Sequence, residues 1–112
     1  MNDILLNLDR TQGAINYGID AYEAQDPLAW PLFADVEDVH GLPRAVISVN
    51  ECDPLRDEGI AFYRLLVRAG VPAQCRQVMG TIHATEIFPN ICPDISRETA
   101  RSIAAFCSEE RT

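Results

Sequence analysis

The run Arg44-Ala45-Val46-Ile47-Ser48-Val49-Asn50 is short, rich in β-branched side chains and apolar at nearly every position. Strict alternation would mark a strand with one wet face. A near-continuous apolar run instead predicts a strand covered on both faces, as in a parallel sheet. Asp53-Pro54 ends it. Downstream, Ile60, Tyr63, Leu66 and Val67 recur at helical spacing, and Phe62 and Leu65 widen that face. Asp57 and Glu58 place negative charge at the positive end of this helix, with Asp53 or Asp57 available as its cap. Gly70 followed by Pro72 predicts the stop, so the helix runs to about Ala69. The more polar Ala73–Met79 segment predicts a second strand nearer an edge, ended by Gly80. From Ile95 to about Glu109, a terminal helix carries Ile95, Thr99, Ile103, Phe106 and Cys107 on one side, with Asp94 or Ser96 as the cap.

Upstream patterning is weaker. Thr11–Ala24 places Ile15, Ile19 and Tyr22 at helical spacing, but Gly13 and Gly18 each weaken that helix by about 1 kcal/mol relative to Ala. In Asp26-Pro27-Leu28-Ala29-Trp30-Pro31-Leu32-Phe33, two prolines remove amide donors and restrict their neighbours, which predicts an ordered loop. Trp30 reads there as an apolar anchor pinning the loop, with a pocket-lining role as the alternative. No repeat or flexible linker interrupts residues 1–112, so a single α/β domain is expected, built on parallel strands with crossover helices.

Strand, helix and strand in succession form a βαβ unit. Its crossover is nearly always right-handed, so both strands end on the same rim. Asp53 follows the first strand and His83 the second, in the crevice where open α/β sheets place their ligands. Neighbouring strands lie about 4.8 Å apart, close enough for their loops to bring a carboxylate to an imidazole. Such a carboxylate orients the ring and stabilises the imidazolium formed when the other nitrogen takes a proton. Set against this is the plain alternative of a helix-capping aspartate and a surface histidine.

Composition narrows the classes. The 112 residues carry a formal net charge of −8, and the nine Lys and Arg are scattered, so neither nucleic acid nor an anionic membrane finds a basic footprint. No apolar run approaches the roughly 20 residues that span a bilayer. Cys52, Cys75, Cys92 and Cys107 lack Cys-x-x-Cys or Cys-His clustering, which argues against zinc. Reduced thiols in a cytoplasm are the simpler reading. Cys92 follows His83 in sequence but has no adjoining basic residue to stabilise a thiolate, and is read as a structural thiol. His40, in an acidic stretch, is read as a solvated surface residue.

The stretch Glu51-Cys52-Asp53-Pro54-Leu55-Arg56-Asp57-Glu58-Gly59 is similar to the Glu-x-Asp-Pro-Leu-Arg-Asp-Glu-Gly signature of the hormone-sensitive-lipase-like esterases. Gly41-Leu42-Pro43, Arg68-Ala69-Gly70-Val71 and Gly80-x-x-His83 agree in order. Asp-Pro-x-x-Trp-Pro at residues 26–31 and Val49-Asn50-Glu51 bring the chain nearest the brefeldin A esterase branch. The resemblance covers roughly residues 20 to 110. It implies the C-terminal part of an α/β-hydrolase-fold carboxylesterase, with Asp53 as triad acid and His83 as triad base. Ala84-Thr85 departs from the family's usual Gly-Phe after the histidine; Ala preserves small size, whereas loss of the aromatic residue bears on the shape of the substrate pocket.

The resemblance further implies a cofactor-free reaction on small-molecule esters, with the nucleophile on an upstream Gly-x-Ser-x-Gly elbow. Ser48, Ser96, Ser102 and Ser108 all lack the flanking glycines, and no His-Gly-Gly-Gly loop occurs, so elbow and oxyanion loop are expected on an N-terminal part outside this chain. This chain alone is then expected to be inactive and to pair with that part or with itself, because two strands leave an apolar face uncovered. The competing reading is a noncatalytic remnant serving as an interaction or structural module.

Overall fold

The structure is a computed structural model that describes residues 18–109. Residues 11–17 of the first expected helix lie outside that range. What is described of it is α1, Ile19–Glu23. A 3-10 turn at Pro31–Phe33 and the short helix α2, Val36–Val39, lead into β1, Ala45–Asn50. Helix α3, Arg56–Arg68, crosses to β2, Ala73–Val78. A second 3-10 turn, Thr85–Ile87, precedes α4, Pro93–Ser108. The two strands pair in parallel from Ala45↔Ala73 to Asn50↔Val78, which puts both C-terminal ends at one rim.

Local chemistry accounts for the boundaries. Asp35 and Asp38 form a reciprocal capping box that starts α2 on two otherwise orphaned amides. Helix α3 ends in a Schellman motif. Val71 N–H reaches the Leu66 carbonyl at 2.9 Å and Gly70 N–H the Val67 carbonyl at 3.0 Å, while Gly70 takes the left-handed φ of +78° that the motif requires. Val71 and Leu66 both enter the core, so the stop signal also delivers the chain to β2 with its apolar contact in place.

The core lies between α3, α2 and one face of the sheet. Its buried apolar residues among those described are Val39, Val49, Leu65, Leu66, Ala69 and Val71. The packed face of α3 centres on Phe62, Leu65, Leu66 and Ala69; Val67, expected on that face, is half exposed. In β1, Ile47 and Val49 look toward α3, where a Cβ on Gly59 would sit 2.7 Å from Val49 Cγ1. Gly59 therefore lets the helix settle directly on the strand. The opposite face, expected to be covered, is only partly so: Ser48 is exposed and Val46 half-buried.

Helix α4 departs from expectation at both ends of its apolar stripe. It begins at Pro93, and neither Asp94 nor Ser96 caps it; Cys92 is the N-cap and makes no side-chain cap bond. A proline at the first helical position has its φ already set and no amide to satisfy, which removes part of the need for a cap. The inward side runs through Ile95, Thr99, Ser102 and Phe106, whereas Ile103 and Cys107 are exposed. Two arginines define that side. Arg76 on β2 reaches Thr99 Oγ1 at 3.3 Å, and the Arg44 guanidinium stacks 4.0 Å from the Phe106 ring centroid while pairing with Glu109 at 3.1 Å.

Gly59→Ala is expected to lower the melting temperature of the chain by several degrees. Overpacking against the stiff Val49 side chain, about 1–3 kcal/mol, outweighs the gain of about 1 kcal/mol in helix propensity. Thermal unfolding followed by circular dichroism decides it, and an increase would refute the close-packing account.

Candidate active site

Asp53 and His83 meet where the loops leaving β1 and β2 converge: His83 Nδ1 lies 2.8 Å from Asp53 Oδ2. The carboxylate's two oxygens have separate partners. Oδ1 accepts the Leu55 N–H at 2.8 Å, closing a turn over Pro54, and Oδ2 faces the imidazole. Asp53 thus stands before α3 and does not cap it; the N-cap is Leu55, with no side-chain cap bond, and Asp57 lies in the first turn. Asp53 is mostly buried, at 12% side-chain exposure, whereas His83 keeps 42%. Against a carboxylate, which accepts when ionised, a neutral ring would carry its proton on Nδ1 and present Nε2 as an acceptor. That is the tautomer a general base needs.

The turn around His83 is tightly prescribed. Thr85 Oγ1 accepts the Ile82 N–H at 2.9 Å and donates to the Ile82 carbonyl at 2.8 Å. Between them Ala84 adopts φ +59° and ψ +23°, the left-handed region, which costs an L-residue about 1–2 kcal/mol. A glycine here would carry no such cost, so the departure at Ala84 bears on backbone conformation as well as on size. Gly80, with φ +71°, turns the chain off β2.

Several residues that the sequence reading left without a role join the two loops. Glu51 Oε1 accepts the Gly80 N–H at 2.8 Å, and Cys52 N–H reaches the Thr81 carbonyl at 2.8 Å. Within the loop leaving β1, Arg56 Nη1 donates to the Glu51 carbonyl at 2.6 Å. Asn50, 5% exposed, donates through Nδ2 to the Ile82 carbonyl at 2.8 Å and to Glu86 Oε2 at 2.9 Å. The signal in the sequence was a polar residue closing an apolar strand, next to a signature whose Glu and Arg have no role in proton transfer.

Beside His83 lies a cavity of about 540 Å³, bounded by Gly80, Ile82, Ala84, Thr85, Phe88, Ile91 and Cys92. Cys92 is half-buried on this wall. Trp30 lies elsewhere: its ring meets Tyr22 edge-on at 5.1 Å, and it borders a cavity of about 400 Å³ with Pro31, Gly59 and Phe62 that is separate from the one beside His83. His40 is exposed at the C-terminal end of α2. Among the described residues, no group of three His, Cys, Asp or Glu side chains could hold a metal ion, and no helix is long and apolar enough to cross a membrane.

A parallel βαβ unit with an aspartate–histidine pair at its rim is a recurring part of α/β hydrolases, and the chain belongs to the alpha/beta hydrolase fold family, whose profile it matches over residues 1–87. Among solved structures it superposes on esterase Est22 with a TM-score of 0.94 and 71% identity, over 97% of this chain and 32% of that one. Brefeldin A esterase, described as a bacterial homologue of human hormone-sensitive lipase, matches with a TM-score of 0.75 and 46% identity, over 80% of this chain and 25% of that one. An arylesterase of Saccharolobus solfataricus is 39% identical over 79 residues, 70% of this chain and 25% of that protein. The chain therefore spans about a quarter of the length of that relative and about a third of Est22.

If strain at residue 84 is set by the left-handed backbone, Ala84→Gly will hold or raise the melting temperature by up to a few degrees. Relief of about 1–2 kcal/mol is offset by about 0.4–1 kcal/mol from the freer unfolded chain. Ala84→Val should lower it, because a β-branched residue is poorly accommodated at positive φ. Calorimetry that ranks Val above Gly would contradict this reading.

Proposed function

We propose that this chain supplies the acid and base of a serine carboxylesterase, acting on small-molecule esters in a cytoplasm together with a segment that carries the nucleophile. The observation that carries the reading is the 2.8 Å Asp53–His83 hydrogen bond, formed by residues far apart in sequence at the rim where two parallel strands end. The apolar cavity beside His83 and the esterase relatives support it.

In this mechanism His83 Nε2 removes the proton from a serine hydroxyl as the oxygen attacks the ester carbonyl. Asp53 holds the ring and stabilises the imidazolium, which then protonates the departing alcohol. Water repeats the sequence on the acyl-enzyme, with His83 again the base. The serine, on a Gly-x-Ser-x-Gly elbow, and the donors for the tetrahedral oxyanion belong to the pairing segment, so the 112 residues here form part of one domain and two members of a catalytic triad.

Combining the chain with a segment bearing that elbow is expected to generate hydrolysis of a chromogenic p-nitrophenyl ester. His83→Ala should abolish it, and Asp53→Asn should lower kcat by about 10³–10⁴-fold with little change in KM. Full activity in His83→Ala would sink the assignment, and no activity in any combination would favour a purely structural module.

Without its pairing segment the chain is expected to self-associate. Met79, Ile87, Phe88 and Ile91 are between 48% and 75% exposed, and β1 has only β2 as a described neighbour. Analytical ultracentrifugation checks this: a lone monomer that binds no apolar dye would refute it.

A further inference from the structure

The reach between Asp53 and His83 is short, yet no covalent or regular secondary structure joins their loops beyond the last strand pair, Asn50↔Val78. Asn50 stands at that point. Its amide is buried, so both of its protons need acceptors, and both acceptors lie in the His83 loop: the Ile82 carbonyl, immediately before the histidine, and Glu86 Oε2, three residues after it. One side chain thus grips His83 from its two sides along the chain. The Ile82 carbonyl also accepts from Thr85 Oγ1, so the grip and the turn share an atom, and displacing either disturbs the other.

We propose that Asn50 is a positioning residue that sets the place of the His83 ring against Asp53 by clamping the Ile82 carbonyl and the Glu86 carboxylate; its consequence for turnover rests on the esterase reading above. Asparagine suits the position because it supplies two donors and no charge. Aspartate would set a carboxylate against both an acceptor carbonyl and the Glu86 carboxylate. Leucine would leave both acceptors facing an apolar wall.

The test reads the tautomer of His83 in the full 112-residue chain, by correlating the carbon-bound imidazole protons with the ring nitrogens in NMR, at a pH above the point where the ring signals stop changing. In the unsubstituted chain the Nδ1–H form should dominate, held there by Asp53, and Asp53→Asn provides the reference for its loss. Asn50→Leu and Asn50→Asp should shift His83 toward the Nε2–H form that a freely exposed histidine prefers, while circular dichroism stays unchanged. A folded Asn50→Leu chain that keeps the Nδ1–H form would overturn the proposal.

Should the Asn50 variants fail to fold, Glu86 decides. Glu86→Gln retains a carbonyl acceptor for the Asn50 amide and should rescue the tautomer lost in Glu86→Leu; equal behaviour of the two overturns the clamp. In the reassembled enzyme, Asn50→Leu should lower kcat about 10–100-fold with KM within about two-fold, as expected for a misplaced base. An assembly that is inactive without any substitution defeats the esterase reading, whereas the NMR comparison still decides the clamp.

Discussion

Everything at the rim depends on the parallel pairing of β1 with β2. The in-register ladder from Ala45↔Ala73 to Asn50↔Val78 brings the two strand ends level, and each loop then needs only a few residues to meet the other. Parallel pairing in turn requires a crossover long enough to return the chain to its starting end, and α3 provides it. Gly59 lets that helix lie against Val49, and the Schellman turn at Gly70 aims the chain back into the sheet. The Asp53–His83 contact is thus the last consequence of a series of backbone decisions made well away from it.

Much of this was legible in the residues. The apolar run of β1, the stop signal at Gly70-Val71-Pro72 and the polar edge character of β2 each follow from local chemistry, and the observed boundaries fall within a residue or two of expectation. Asp53 and His83 come together at the shared rim. Less legible were the faces. Val67 and Ile103 fit helical stripes by spacing, but the burying surface is set by which neighbours exist, and among the described residues the sheet is two strands wide. Arg44 and Arg76 hold α4 through a ring stack and a hydroxyl contact, neither of which has a periodicity to read.

Capping showed the same limit. Asp53, Asp57, Asp94 and Ser96 all had the right chemistry to cap a helix, and none serves as an N-cap. Asp53 is committed to two other partners, and at α4 a proline occupies the first position. Asn50 was invisible for the opposite reason: a single polar residue at a strand end has no distinctive spacing, and its value emerges only once the His83 loop folds over it. Ala84 illustrates a third case, in which a departure from family pattern looked like a matter of volume and is also one of backbone angle.

The bonds that unite Asp53 and His83 all arise between residues 50 and 86 of one continuous stretch, from the Asn50 amide to the Glu86 carboxylate. Asp53, His83 and the bonds that set their contact thus lie within one continuous segment. A recombination breakpoint upstream of Ala45 would carry both residues into a new protein together with the bonds that link their loops. That continuity makes this segment a natural unit of exchange.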